Sequence, residues 1–218
     1  MKRVILTGGT GMVGGSVLKK CLESPAISEV ISIVRKSAGI QHEKLIEVIH
    51  QDFGDYSSIT EYFKDQDVAY FCLGAYTGAV SDDLFKKITV DFTAAFADML
   101  EKHSPNVNFC FLSGEGADQT EKSRVSFAKY KGIAENHLLS KAFKDLYLFR
   151  PGYIYPVEPR QEPNVMYRIS RALYPLLKTI YSTGVITSEE LAQAIFQTGL
   201  EGTNQSLLKN IDIKKLLQ

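Results

Sequence analysis

The chain has 218 residues, 44% of them hydrophobic, with 25 basic and 25 acidic side chains that give a formal net charge of zero. That length suits one α/β domain with a full core and is short for a nucleotide domain plus a separate substrate domain. The even balance, without a long run of like charge, argues against nucleic acid as a partner.

Apolar, β-branched runs predict strands at 3–7, 29–34, 45–50, 68–72, 108–113 and 146–150. Helical patterns lie between and after them, at 12–23, 57–63, 82–103, 123–142, 164–179 and 188–198, the fifth interrupted by Pro175. Ser188 followed by Glu189 and Glu190 reads as the cap of the sixth. Residues 204–218 read as a short strand or loop and a terminal helix that closes the domain. This alternation predicts an α/β fold with a doubly wound parallel sheet of six strands and helices on both faces. Residues 1–218 form a single domain on this reading, with 151–185 as a substrate-side loop and helix. Pro151, Pro156, Pro159 and Pro163 make its first part the richest irregular stretch.

No apolar run reaches the length of a membrane helix, and the glycines at 8, 9 and 11 cut short the apolar run after Lys2 and Arg3 that imitates a signal peptide. Cys21, Cys72 and Cys110 are odd in number and embedded in apolar stretches, which predicts reduced, buried thiols. His42, His50, His103 and His137 lack metal-ligand spacing. The expectation is a soluble, cytoplasmic protein with no membrane partner and no metal.

The first strand runs into Thr7-Gly8-Gly9-Thr10-Gly11-Met12-Val13-Gly14, and the first helix follows. In that setting Gly8 permits the tight turn, Gly11 the close approach of a diphosphate, and Gly14 close packing of helix on strand. The bare amides near Thr10 to Val13 would face the phosphates. Twenty residues past Gly14, where an acid would bind a ribose 2′-hydroxyl, stands Val34, followed by Arg35, Lys36 and Ser37. A cation pair there favours the 2′-phosphate of NADP, with NAD second. Asp52 and Phe53, just past the third strand, offer a carboxylate and a ring to the adenine.

With Cys72-Leu73-Gly74, Leu112-Ser113-Gly114-Glu115-Gly116-Ala117-Asp118, Lys131-Gly132 and Phe149-Arg150-Pro151-Gly152 added, the chain resembles the atypical and extended short-chain dehydrogenase/reductases. Within them it is similar to the small Tat-interacting, oxidoreductase-like branch. The resemblance runs from residue 4 to about 165. It implies a coenzyme across the carboxyl ends of the strands, with Leu73 and Gly74 beside its middle and Pro151 to Ile154 near the nicotinamide. It also implies a Ser, Tyr and Lys set, in which the Tyr protonates a carbonyl and the Lys holds the nicotinamide ribose. Lys131 fills its slot, and Ser113 is the one hydroxyl carried over from a paired-serine motif. The Tyr slot holds Phe127, which has no proton to give. Four residues advance a helix by roughly 400°, so positions 127 and 131 share a face. Tyr130, Tyr153 and Glu115 are the substitutes within reach, and Tyr130 is the one that joins Ser113 and Lys131 in the catalytic set.

Two functions follow. One is an NADP-dependent oxidoreductase on a small carbonyl compound with altered acid chemistry. The other is an NADPH-binding protein without turnover, read by a regulatory protein partner, which Phe127 favours. A nucleotide-sugar epimerase or dehydratase ranks last, because it needs the same Tyr. Tyr76, Thr77, Tyr153, Tyr155 and the loop around Arg160 are the candidate substrate lining. The helices 82–103 and 123–142 are the surfaces for a homodimer.

Overall fold

The computed structural model describes residues 1–76, 78–158, 174, 180, 181 and 183–218. Its centre is a parallel sheet of seven strands: β1 (Lys2–Thr7), β2 (Ile27–Val34), β3 (Leu45–Ile49), β4 (Val68–Phe71), β5 (Asn108–Leu112), β6 (Asp145–Arg150) and β9 (Leu207–Lys209). They lie in the order β3-β2-β1-β4-β5-β6-β9, and all six neighbouring pairs are parallel. Parallel strands covered on both faces need unbroken apolar sequence. Val4 to Thr7 and Val68 to Phe71 have it, every residue fully buried.

On one face, α1 (Met12–Glu23), α5 (Ser188–Glu201) and α6 (Asn210–Lys215) bury Val17, Leu18, Leu191 and Ile195 against β1 and β4. On the other lie a 3-10 helix (Ser57–Phe63), α3 (Phe92–His103) and α4 (Ser126–Leu139). They enclose an aromatic cluster of Phe53, Tyr56, Phe63, Phe71, Phe96 and Phe109. Edge-to-face contacts hold it, such as Phe63 on Phe96 at 5.3 Å. Helices on both faces and a strand order that reverses beside β1 create a crevice at the carboxyl ends of β1 and β4.

The sheet has seven strands, not six. β9 is three residues long and takes its place as an edge by pairing Leu208 with Phe149. A second, two-stranded sheet joins β7 (Tyr153–Tyr155) to β8 (Val185–Thr187). The helix expected over 82–103 comprises α2 (Asp82–Lys86), a π-helical turn (Lys87–Asp91) and α3. The Thr93 hydroxyl donates back to Thr89 O at 2.8 Å at the end of that turn, a bond that competes with the backbone ladder there. The cap of α5 is Thr187, one residue before the expected Ser188, in a reciprocal capping box with Glu190. Ser188 Oγ instead accepts from Val157 N at 3.2 Å. The helix expected over 164–179 lies, except for Tyr174, outside the described residues. Among the described residues no helix is long and apolar enough to cross a membrane.

Candidate functional site

The glycine loop is built as its spacing requires. Gly8 has φ +80°, and a Cβ there would stand 2.6 Å from the Cys72 carbonyl. Cys72 N donates to Thr7 O at 3.1 Å, drawing the loop after β4 against β1. A Cβ on Gly14 would meet Gly8 O at 2.2 Å, so no other residue lets α1 come so close to the turn. Gly11 differs, because within 4 Å its Cβ would meet just Gly8 O, at 3.1 Å. Its outer side faces open space. α1 has no side-chain cap and no acid in its first turn, so its first N–H groups and the positive end of its dipole are left for an anion.

Gly11, Met12 and Val13 line a crevice of about 320 Å³ together with Leu73, Gly74, Ser113, Lys131 and Ile154. Pro151 and Tyr76 line an adjoining cavity of about 190 Å³. Thr10 borders a larger groove of about 730 Å³ along the outer face of α1, with Ser16, Lys19 and His42. The fold thus gathers most of the expected coenzyme residues, from the segments that follow β1, β4, β5 and β6 and from α1 and α4, at one place.

Arg35 and Lys36 are exposed just beyond β2. The Ser37 hydroxyl expected beside them donates to Glu47 of β3, whose carboxylate also accepts from Ala38 N at 2.9 Å. Asp52 is exposed, its Oδ1 accepting from Gly54 N at 3.0 Å. Phe53 does not offer its ring to an adenine: it is 2% exposed and packs on Tyr56 and Phe92. An aromatic after β3 closes the core beneath the 3-10 helix, and burial of that area outweighs exposure in the crevice.

α4 carries the reaction end. Lys131 is buried, and its Nζ donates to Leu112 O at 2.9 Å while standing 4.8 Å from the centre of the Phe111 ring. Burial pushes its amine down to about 8, against the pull of Glu135 and Cys72. One turn earlier Phe127 lies against Gly114, where a Cβ would stand 2.5 Å from the ring's Cζ. The missing serine side chain and the missing phenol are therefore one steric replacement: the ring occupies the place of the side chain that position 114 lacks.

Ser113 lines this crevice with its hydroxyl proton already committed, and Tyr130 does not line it. Ser113 Oγ donates to Glu135 Oε1 at 2.5 Å. Tyr130 faces α2, where its hydroxyl donates to Asp82 Oδ2 at 2.7 Å and that bond raises its pKa. Tyr130 is rotated roughly 60° from Phe127 and, on the far side of it from Lys131, roughly 100° from Lys131, which carries it to the edge of the face those two share. Tyr155 is likewise turned aside, stacked on Tyr174 at 3.9 Å, and Thr77 and Arg160 lie outside the described residues.

Glu135, which sequence reasoning missed, organises this end. It is completely buried and accepts from Ser113, from Arg150 Nε at 2.9 Å, from Arg150 Nη2 and from Gln119 Nε2 at 2.9 Å. A buried carboxylate survives in a core when such donors satisfy it. It ties the ends of β5 and β6 to α4, fixing where Lys131 and Phe127 stand. Its signal in the sequence is an acid four residues past Lys131, between the buried Ala134 and Leu138.

Fold and site together define an α/β protein whose crevice at the end of its first strand is suited to a pyridine dinucleotide. The crevice fits that group, since it is glycine where phosphates approach and carries a lysine further along. The chain belongs to the NAD(P)H-binding family, whose profile matches residues 8–172. Among curated proteins it is 28% identical over 155 residues to "Protein FMP52, mitochondrial" of Meyerozyma guilliermondii, covering 70% of this chain and 65% of that one. It is 26% identical over 151 residues to the protein of that name from Saccharomyces cerevisiae, covering 68% of this chain and 64% of that one. The matched region is thus slightly under two thirds of those relatives' length. Their naming as mitochondrial overturns the expectation of a cytoplasmic location. Buried, unpaired thiols such as Cys21 and Cys110 do not say which compartment the protein occupies.

Among solved structures, the UDP-N-acetylglucosamine 4-epimerase from Methanobrevibacter ruminantium M1 aligns over 95% of this chain and 76% of its own, with TM-score 0.70 and 19% identity. WbmF of Bordetella bronchiseptica in complex with NAD+ aligns over 98% and 76%, with TM-score 0.71 and 13% identity. These likenesses establish a Rossmann-like fold.

Proposed function

We propose that the protein binds NADP(H) in preference to NAD(H) and is an oxidoreductase for a small acceptor, in which no tyrosine at position 127 supplies the proton. The observation that carries this is the open glycine turn at Gly11 with Lys131 lining the same crevice. The coenzyme, when bound, supplies two electrons and a proton as hydride. The first-turn amides of α1 would hold its diphosphate, Arg35 and Lys36 the 2′-phosphate, and Lys131 the ribose next to the nicotinamide. Phe127 and Ile154 exclude water from the reacting face. Membership of the Tat-interacting branch rests on sequence resemblance.

A second reading, an NADPH-binding protein without turnover that reports coenzyme state to a partner, draws support from Ser113 and Tyr130, which both give their hydroxyls to carboxylates. The epimerase reading stays last, because it needs a proton-transferring group at position 127.

Fluorescence titration with NADPH and NADH, in the native protein and in Arg35→Ala, tests the coenzyme preference. Removing a charge-assisted hydrogen bond to phosphate at an exposed site weakens NADPH roughly tenfold and leaves NADH unchanged. An equal weakening of both would refute the 2′-phosphate contact. Oxidation of bound NADPH by aldehydes or quinones supports the oxidoreductase; binding without oxidation by either class supports the second reading.

A further inference from the structure

Beyond Phe127 a further cavity of about 410 Å³ opens, walled by the rings of Phe127, Tyr153 and Tyr181 and by the exposed carboxylate-bearing Glu115. Two glycines keep that wall tight. A Cβ on Gly184 would lie 1.7 Å from the Tyr181 ring, and one on Gly152 would lie 2.1 Å from Gly184 O. The Tyr181 ring therefore lies against backbone on one side, while 52% of the residue remains exposed. Phe127 lines both this cavity and the crevice that carries Gly11 and Lys131, so a molecule here meets the same ring that faces the coenzyme crevice.

We infer that this cavity takes a flat, uncharged conjugated acceptor of the para-quinone class, an inference that rests on the proposed coenzyme site. Three rings set around a space of this size favour a planar π-system over a puckered or branched carbonyl compound. The carboxylate of Glu115 disfavours anions. Quinone chemistry also fits a site with Phe127 in the acid's place. Reduction of an aldehyde builds charge on an alkoxide, which needs a proton donor in the transition state. Reduction of a quinone leaves a phenolate, whose conjugate acid has a pKa near that of tyrosine, roughly 10, so water completes the step. The balance is closed: NADPH gives up two electrons and one proton and becomes NADP+, and the quinone takes these with one further proton from water and becomes the hydroquinone.

The test is calorimetry on the full chain saturated with NADP+, so that nothing turns over, titrated with duroquinone and separately with cyclohexanone. Duroquinone has every ring carbon blocked against thiol addition. It is expected to bind at least about tenfold tighter than cyclohexanone. Tyr181→Leu, at a half-exposed position, is expected to weaken it roughly 2- to 12-fold, the worth of one aromatic pair, with NADP+ affinity and melting temperature unchanged. NADP+ binding with duroquinone no tighter than cyclohexanone, or indifferent to Tyr181→Leu, would overturn the acceptor class and leave the coenzyme site standing. Duroquinone binding that depends on Tyr181 in a protein silent to NADP+ would support the cavity and sink the coenzyme reading.

Discussion

Lys131 makes a claim about function that can be read from stability alone. Its amine falls from the ordinary 10.5 to about 8 because it is buried. In the unfolded chain it keeps its proton up to about pH 10.5, and in the folded chain only to about pH 8. Between those values the unfolded state binds more protons, so for this group stability is lowest below pH 8 and rises with pH through the window. The shift corresponds to about 3 kcal/mol of destabilisation at pH 7. Lys131→Met keeps most of the volume and removes the charge. Relative to the native protein it is therefore expected to be more stable at pH 7 by up to about 3 kcal/mol, an advantage that largely disappears by pH 10. Urea denaturation of both proteins at the two pH values gives the difference, in which other titrating groups cancel. The same variant is expected to bind NADPH more weakly, since a residue kept at a cost to stability marks a working site. A stability difference that stays flat with pH would refute the buried, charged lysine on which the proposed ribose contact depends.

Arg150→Met leaves the Glu135 carboxylate buried without its main counter-charge and is expected to cost about 3–5 kcal/mol in urea denaturation. Adding Glu135→Met to it should restore most of that stability, and a double variant as unstable as the single one would contradict the network. Gly114→Ser places a Cβ within 2.5 Å of the Phe127 ring and is expected to cost about 1–3 kcal/mol, a fall of roughly 2–12 °C in Tm. Phe127→Ala in the same chain should relieve part of it, and simple additivity of the two changes would refute the steric pairing.

How much of this was legible in the sequence follows from where each signal lives. The glycine loop was readable because its constraints are local: Gly8 needs a positive φ, and Gly14 has no room for a Cβ. The central strands were readable because burial on both faces forces unbroken apolar runs. β7 and β8 were not, and β9 was read only as a short strand or loop within 204–218, since three residues apiece carry no period and their pairing is set by segments far away in the chain. Phe53 misled because an aromatic near a site and an aromatic in the core look alike in sequence, and Tyr130 because its turn toward Asp82 is set only once α2 is placed beside α4. Glu135 stayed hidden because its partners Ser113, Gln119 and Arg150 meet it only once β5, α4 and β6 are assembled.

The measurement that bears most directly on the central claim is calorimetric titration of the native protein and of Gly11→Val with NADPH. A side chain at Gly11 meets little of the protein, with Gly8 O its one neighbour within 4 Å, so the variant should fold and lose the coenzyme. The account predicts saturable one-to-one binding to the native chain and none to a folded Gly11→Val. Silence from the native protein toward both NADPH and NADH, or undiminished binding by the variant, would contradict it.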